Sequence, residues 1–258
     1  MATRLYLHVD SSTEAGTLPT TEQSSRTAVF NFDAQTVNRL MDTNIGTAQT
    51  SVTHQVTTNY GTNTLGYVTK FISPELNQTS IAANTWRYNF ACKHSSLSVV
   101  DDYPITDDSA SPSNNLPITV YVWRPGTGVK IGNIFDSTVA GYVDTGNYTG
   151  HPTQQTTNEI SEDGTFTGSS VASVQTGDVI ILEAWISVWT RSTTAVTLSY
   201  FFDGITETLT DGTVVSNHAS FLETPEALVF AGAATNTFRQ YNSYSNTGFM
   251  PSQASVIF

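Results

Sequence analysis

The stretch Asp178-Val-Ile-Ile-Leu-Glu-Ala-Trp-Ile-Ser-Val-Trp-Thr190 decides the fold. Ile180, Leu182, Ala184, Ile186 and Val188 line one face of it without a polar interruption. The alternate positions carry Val179, Ile181, Trp185 and Trp189, with Glu183 and Ser187 between them. Period-two alternation with β-branched and aromatic enrichment predicts a long strand. One face is expected on a core and the other near water, which is antiparallel behaviour. Working outward, Gln175-Thr-Gly177 reads as the turn into this strand, and Val196, Leu198, Tyr200 and Phe202 alternate in Ala195–Phe202 beyond it. Upstream, Thr85–Lys93 places Trp86, Tyr88, Phe90 and Cys92 together, and Leu116–Arg124 places Ile118, Val120 and Val122 together. Arg124-Pro-Gly-Thr-Gly128 reads as a hairpin turn into Val129–Phe135, and Thr210-Asp-Gly-Thr213 as a second one. Ser98–Asn115 and Gly141–Gly164 are long polar connections. Short strands with Gly/Pro turns and almost no helical period predict an all-β, antiparallel jelly roll or β-sandwich over residues 67–258.

Residues 1–66 read differently. Ser, Thr, Asn and Gln dominate, and apolar residues come in small clusters: Tyr6-Leu7, Val29-Phe30-Asn31-Phe32, and Val37 with Leu40 and Met41. The last cluster follows Asp33, an N-cap type, and is expected to make one or two helical turns. With too few periodic apolar residues for a core of its own, this segment is expected to be an extended, mostly irregular arm. Its aromatic clusters need burial. Tyr6, Phe30 and Phe32 are therefore the candidate interface anchors, seated on neighbouring subunits, and the domain left after removal of 1–66 is expected to fold. Fully extended, about 60 residues reach roughly 200 Å. An arm of that kind suits closed symmetry, with a homotrimer the expected assembly.

Composition excludes several functions. Charged residues are 12% of the chain, about half the usual share, and Ser plus Thr make up roughly a quarter. A net charge of −12 opposes a nucleic-acid-binding surface. No apolar run is long enough for a membrane helix, and Met1–His8 shows no apolar segment with a cleavage site, so no secretory leader is expected. A single cysteine, Cys92, excludes an intramolecular disulfide framework and multi-Cys zinc.

Motifs with chemistry are few. Gly126-x-Gly128-x-x-x-Gly132 misses the dinucleotide spacing and joins two strands. His8, His54, His94, His151 and His218 are scattered without ligand spacing. Asp101-Asp102 and Asp107-Asp108 share a loop that lacks an EF-hand pattern. Asn77-Gln-Thr and Asn147-Tyr-Thr match the glycosylation triplet by chance. No catalytic, cofactor or metal residue is expected. Trp123, Trp185 and Trp189, on one outer face, suit sugar stacking or a protein interface. Glu183, a carboxylate within a strand, needs a hydrogen-bond partner if buried.

Several blocks together carry a resemblance. These are Met1-Ala-Thr-Arg-Leu-Tyr6, Tyr67-Val-Thr-Lys-Phe-Ile-Ser-Pro-Glu-Leu76, Ile81-Ala-Ala-Asn-Thr-Trp-Arg-Tyr-Asn-Phe-Ala91, Val120-Tyr-Val-Trp-Arg-Pro125, Thr176-Gly-Asp-Val-Ile-Ile181 and Asn217-His-Ala-Ser-Phe-Leu-Glu-Thr-Pro225. In this order they resemble virion structural proteins of tailed bacteriophages, many from phages of cyanobacteria. They cover most of Tyr67–Pro225, and Glu226–Phe258 matches no block. The resemblance implies a non-enzymatic particle component assembled in the host cytoplasm and placed on the exterior of the virion. A trimeric capsid cement or decoration protein on the major capsid protein is the first expectation. A tail or baseplate component, including a receptor-binding jelly roll that contacts host polysaccharide, is the alternative. A free carbohydrate-binding or hydrolytic jelly roll is a third class, and the sequence offers no carboxylate pair specific to the hydrolytic form.

Overall fold

A computed structural model describes residues 2–24, 27–46, 48–56, 64–94, 100–102, 118–136, 160–190, 196–204 and 219–231. In chain order the strands are β1 (Thr3–Ser11), β2 (Phe30–Asn31), β3 (Asn38–Asp42), β4 (Thr50–Val56), β5 (Thr64–Ile72), β6 (Ser80–Ile81), β7 (Asn84–His94) and β8 (Val100–Asp102). There follow β9 (Ile118–Arg124), β10 (Val129–Asp136), β11 (Ile160–Gly168), β12 (Val171–Ala172), β13 (Val179–Thr190), β14 (Val196–Phe202) and β15 (Phe221–Thr224). The described residues contain no helix. The protein is all-β, of the sandwich or jelly-roll type, as the alternation predicts.

Thirteen strands belong to one continuous sheet folded into two layers, and β6 and β12 make a small second sheet. One layer runs β10-β9-β13-β5, with β2 and β3 pairing in parallel along the other edge of β5. In the other layer β7 carries β11 along one edge and β15 and β14 in succession along the opposite edge, with β4 outside β14. β1 lies between β3 and β15 and joins the layers.

The core fills the space between the layers. Ile180, Leu182 and Ala184 of β13, Val120 and Val122 of β9, and Val68 and Phe71 of β5 meet Trp86, Tyr88 and Phe90 of β7, Phe166 of β11, and Leu198, Tyr200 and Phe202 of β14. Aromatic pairs knit it: Phe71 and Phe202 meet edge-on at 4.9 Å, and Phe135 stacks on Phe166 at 4.3 Å. The predicted turns at Arg124–Gly128 and Gln175–Gly177 are present. Gly128 and Gly177 take positive φ values of 67° and 91°, which glycine adopts without steric cost.

The N-terminal quarter departs from the expected irregular arm. The strands β1 to β4 lie within residues 1–66, and all four enter the main sheet, while the expected boundary at Gly66 falls inside β5. Leu5, Leu7 and Met41 are fully buried in the main core. This region lacks a core of its own because it shares the large one. The expected helical turns after Asp33 are instead the strand β3. The spacing of Val37, Leu40 and Met41 mimics a helix, but Asn38–Leu40 pair in parallel with Lys70–Ile72, and such pairing is invisible to local periodicity. The end of the expected 141–164 loop is also strand, since Ile160–Gly164 pair with Tyr88–Cys92. The hairpin expected at Thr210–Thr213 lies outside the described residues.

Candidate functional site

Among the described residues, the outer face of the β9–β13–β5 layer is the most chemically distinctive. Cross-strand register places Trp123, Tyr121 and Thr119 of β9 beside Val179, Ile181 and Glu183 of β13. On the other side Ile72, Lys70 and Tyr67 of β5 lie beside Ile181, Glu183 and Trp185. This face was expected near water, yet Glu183, Lys70, Tyr67, Trp185 and Tyr121 are all 0% exposed and Trp123 only 6%. Residues 12–24, the polar segment after β1, strap it. Leu18 packs on the cluster of Ile72, Tyr121, Trp123, Val179 and Ile181. Thr17 N–H donates to Pro125 O at 2.9 Å, and Trp123 Nε1–H donates to Thr17 O at 2.7 Å. Lys70 Nζ donates to the carbonyls of Pro19 and Gln35, and Lys130 Nζ to that of Gln23 at 3.0 Å. Gly16, at φ 98°, lies so close to Pro125 that an added Cβ would sit 2.8 Å from the proline Cβ. Its glycine is therefore needed both for conformation and for space.

Glu183 finds the partners a buried carboxylate requires. Its Oε1 accepts from Gln23 N–H at 2.7 Å and from Tyr121 OH at 2.9 Å. Oε2, Tyr67 OH and Trp185 Nε1 have no hydrogen-bond partner among the described residues. Burial pushes the Glu183 carboxyl above its ordinary value, against the pull of Gln23, Tyr121 and Lys70. Burial likewise lowers Lys70 to about 8, with Glu183 and Glu22 opposing it. Tyr67 and Tyr121 are pushed far upward by burial and by the Glu183 charge, so both remain neutral phenols. The aromatic row is consumed by the strap, and Trp123 and Trp185 present no stacking platform to a sugar. The side chain of Trp189 lies outside the described residues.

The expected interface anchors also have partners inside the chain. Tyr6 is 7% exposed and packs edge-on against Phe221 at 6.2 Å. Phe30 is 7% exposed and stacks on His54 at 4.6 Å, while Phe32 is partly buried beside both. His8 emerges as a site that sequence scatter concealed. Its Nδ1 lies 2.6 Å from Asp203 Oδ1 and its Nε2 3.2 Å from Asp42 Oδ1. Burial opposes its charge, but the two flanking carboxylates prevail and hold its pKa above the usual histidine value. Asp203, at φ 61°, also accepts from Val9 N–H at 3.1 Å, so this cluster ties β1, β3 and the end of β14 together. A third grouping is the bidentate pair of Arg124 with Asp178, at 2.8 and 2.9 Å, beside a shallow cleft bordered by Gly16, Glu75 and Thr176. Asp107, Asp108, His151 and His218, with the side chains of Cys92, His94, Asp101 and Asp102, lie outside the described residues. Among the described residues no group of three or more His, Cys, Asp or Glu is arranged to hold a metal ion, and no helix is long and apolar enough to cross a membrane.

The strap left no readable signal, because residues 12–24 contain a single large apolar side chain, Leu18, and no periodicity. Glu183 and Lys70, charges inside otherwise apolar strands, were the only hints of a polar layer.

No protein-family profile matches the chain. No curated protein matches it. Among solved structures, that of infectious bursal disease virus, Gx strain, aligns with 93% of this chain at 10% identity and a TM-score of 0.20. The aligned part spans 57% of that viral chain. A likeness of this size defines neither a shared fold nor a shared role.

Proposed function

We propose that the protein is a non-enzymatic structural component of a tailed-bacteriophage virion. Within the particle, its role is that of a capsid cement or decoration protein, a homotrimer on the outer surface in contact with the major capsid protein. The observation that carries this reading is the use made of the ionisable groups. Arg4 clamps Glu223 across β1 and β15, Arg39 clamps Asp33, and Arg124 clamps Asp178. His8 bridges Asp42 and Asp203, and Glu183 and Lys70 hold the strap. Each group fastens one chain segment to another, which is the wiring of a scaffold. A particle protein must stay folded without chaperones, and a sheet buried on both faces serves that need. The blocks resembling phage virion proteins fall largely on β5, β7, β9, β13 and β15, so the likeness lies in the strands that build the sandwich. Tyr6 and Phe30 are engaged within the chain, so the reading assigns contacts with sister subunits to other surfaces.

Quantitative mass spectrometry of purified particles, with image reconstruction, tests the proposal. The expected result is a stoichiometry comparable to that of the major capsid protein and density on the capsid exterior. A handful of copies at the tail overturns the cement role in favour of a tail component, and absence from particles overturns the virion reading altogether.

A further inference from the structure

We infer that residues 12–24 form a proton-governed strap, whose grip on the β9–β13–β5 face is loosest when Glu183 and Lys70 are both ionised and tightest when either is neutral. The argument begins with hydrogen bonds. A neutral lysine amine keeps two N–H groups, and Lys70 meets two carbonyls, those of Pro19 and Gln35. A protonated Glu183 still accepts at Oε1 from Gln23 N–H and Tyr121 OH. Neutralising either group therefore removes a desolvated charge while every named bond to the strap survives. Opening the strap returns both charges to water, so ionisation favours the open state.

Glu14, also on the strap, is raised by burial and by the Glu75 charge and adds a second carboxyl to any acid response. Tyr121 of β9 and Tyr67 of β5 remain neutral phenols. Glu22 on the strap and Glu183 support the Lys70 charge without cancelling its burial. Lys130 of β10 lies 5.7 Å from the Tyr121 ring centroid, and Asp33 is ion-paired with Arg39 at 2.7 Å. Attraction between Glu183 and Lys70 reduces the cost of burying both, but burial is the larger influence on each.

The sign follows from linkage. The closed state binds the Lys70 proton more weakly than the open state, so closure strengthens as pH rises through about 8. It binds the Glu183 proton more tightly, so closure also strengthens as pH falls through the raised carboxyl value. Grip is thus weakest between the raised carboxyl value and about 8.

Native-state hydrogen exchange at the Thr17 and Gln23 amides, converted to opening constants between pH 5 and 9.5, reads this directly in the full chain. The opening constant should fall about tenfold between pH 7 and 9, the linkage value for a group lowered to about 8, and fall again on the acid side of its maximum. In a Glu14→Gln background, which removes the strap's other raised carboxyl, Glu183→Gln should erase the acid branch and Lys70→Met the alkaline one. Should Lys70→Met not fold in that background, adding Glu183→Gln, which leaves no ionisable group at either position, should restore folding and give a flat profile. A wild-type opening constant that ignores pH, or is smallest near neutrality, overturns the inference. So does an acid branch that persists when Glu183→Gln is added to Glu14→Gln.

Discussion

Over Val179–Trp185, strand β13 has two faces buried to the same extent by opposite means. Ile180, Leu182 and Ala184 press into side chains of the opposing layer, and shape complementarity does the work. Ile181, Glu183 and Trp185 are covered by irregular backbone that brings one leucine and a set of carbonyl and amide groups. Complete burial therefore does not report how a surface is covered. A sheet-covered face gains by apolar area, at about 25 cal/mol per Å². A strap-covered face must match hydrogen bonds one by one, and it opens locally at less cost than the whole fold.

The most severe way to break the comparison is to delete residues 1–66. This removes strands that serve both faces, together with the strap, so the remainder should show no cooperative thermal transition by calorimetry. A folded remainder would restore the detached-arm expectation. Leu182→Asp comes next, since an unpaired charge between the layers should cost more than about 4 kcal/mol and leave no soluble folded protein. The matched pair Leu182→Ala and Ile181→Ala then compares the faces at equal chemistry. The inner cavity cannot collapse, so about 3–5 kcal/mol is expected there by denaturant titration, against about 2–3 kcal/mol under a strap that can settle. Equal losses would mean that the strap is as rigid as a sheet.

His8 extends the comparison to a third region. Its folded pKa is raised, so its contribution is complete below the unfolded value of about 6.5 and is lost as pH rises through the folded value. His8→Phe should cost about 2 kcal/mol at pH 6 and progressively less at higher pH, measured by urea unfolding. The smallest effect belongs to Trp123→Phe. Loss of the bond to Thr17 should cost about 1 kcal/mol and speed amide exchange in the strap while leaving the core amides unchanged.

What the sequence revealed follows the same division. The inward rows Trp86-Tyr88-Phe90, Ile118-Val120-Val122 and Leu198-Tyr200-Phe202 were legible because period-two alternation is a local property. Three features were not. The places of β1 and β3 depend on partners far along the chain, such as Thr3 opposite Thr224, and no local pattern encodes such pairing. The burial of the outer face depends on a segment whose bonds are made by backbone groups, which carry no sequence signature. The His8 cluster draws on residues 34 and 195 positions away, so its parts read as scattered. Glu183 alone announced itself, by being a carboxylate where only a satisfied one could sit.

The pairing of β1 with β15 has a consequence for how the protein is made. Arg4 and Leu5 leave the ribosome more than two hundred residues before Glu223 and Leu222, their strand partners. At about 5–20 residues per second, β1 therefore waits roughly 10–40 s with an edge and two leucines uncovered. During that interval the open edge of one nascent copy can pair with the same segment of another. The charged and hydroxyl side chains around Leu5 and Leu7, Arg4, Asp10, Ser11 and Ser12, dilute the exposed apolar run during that wait.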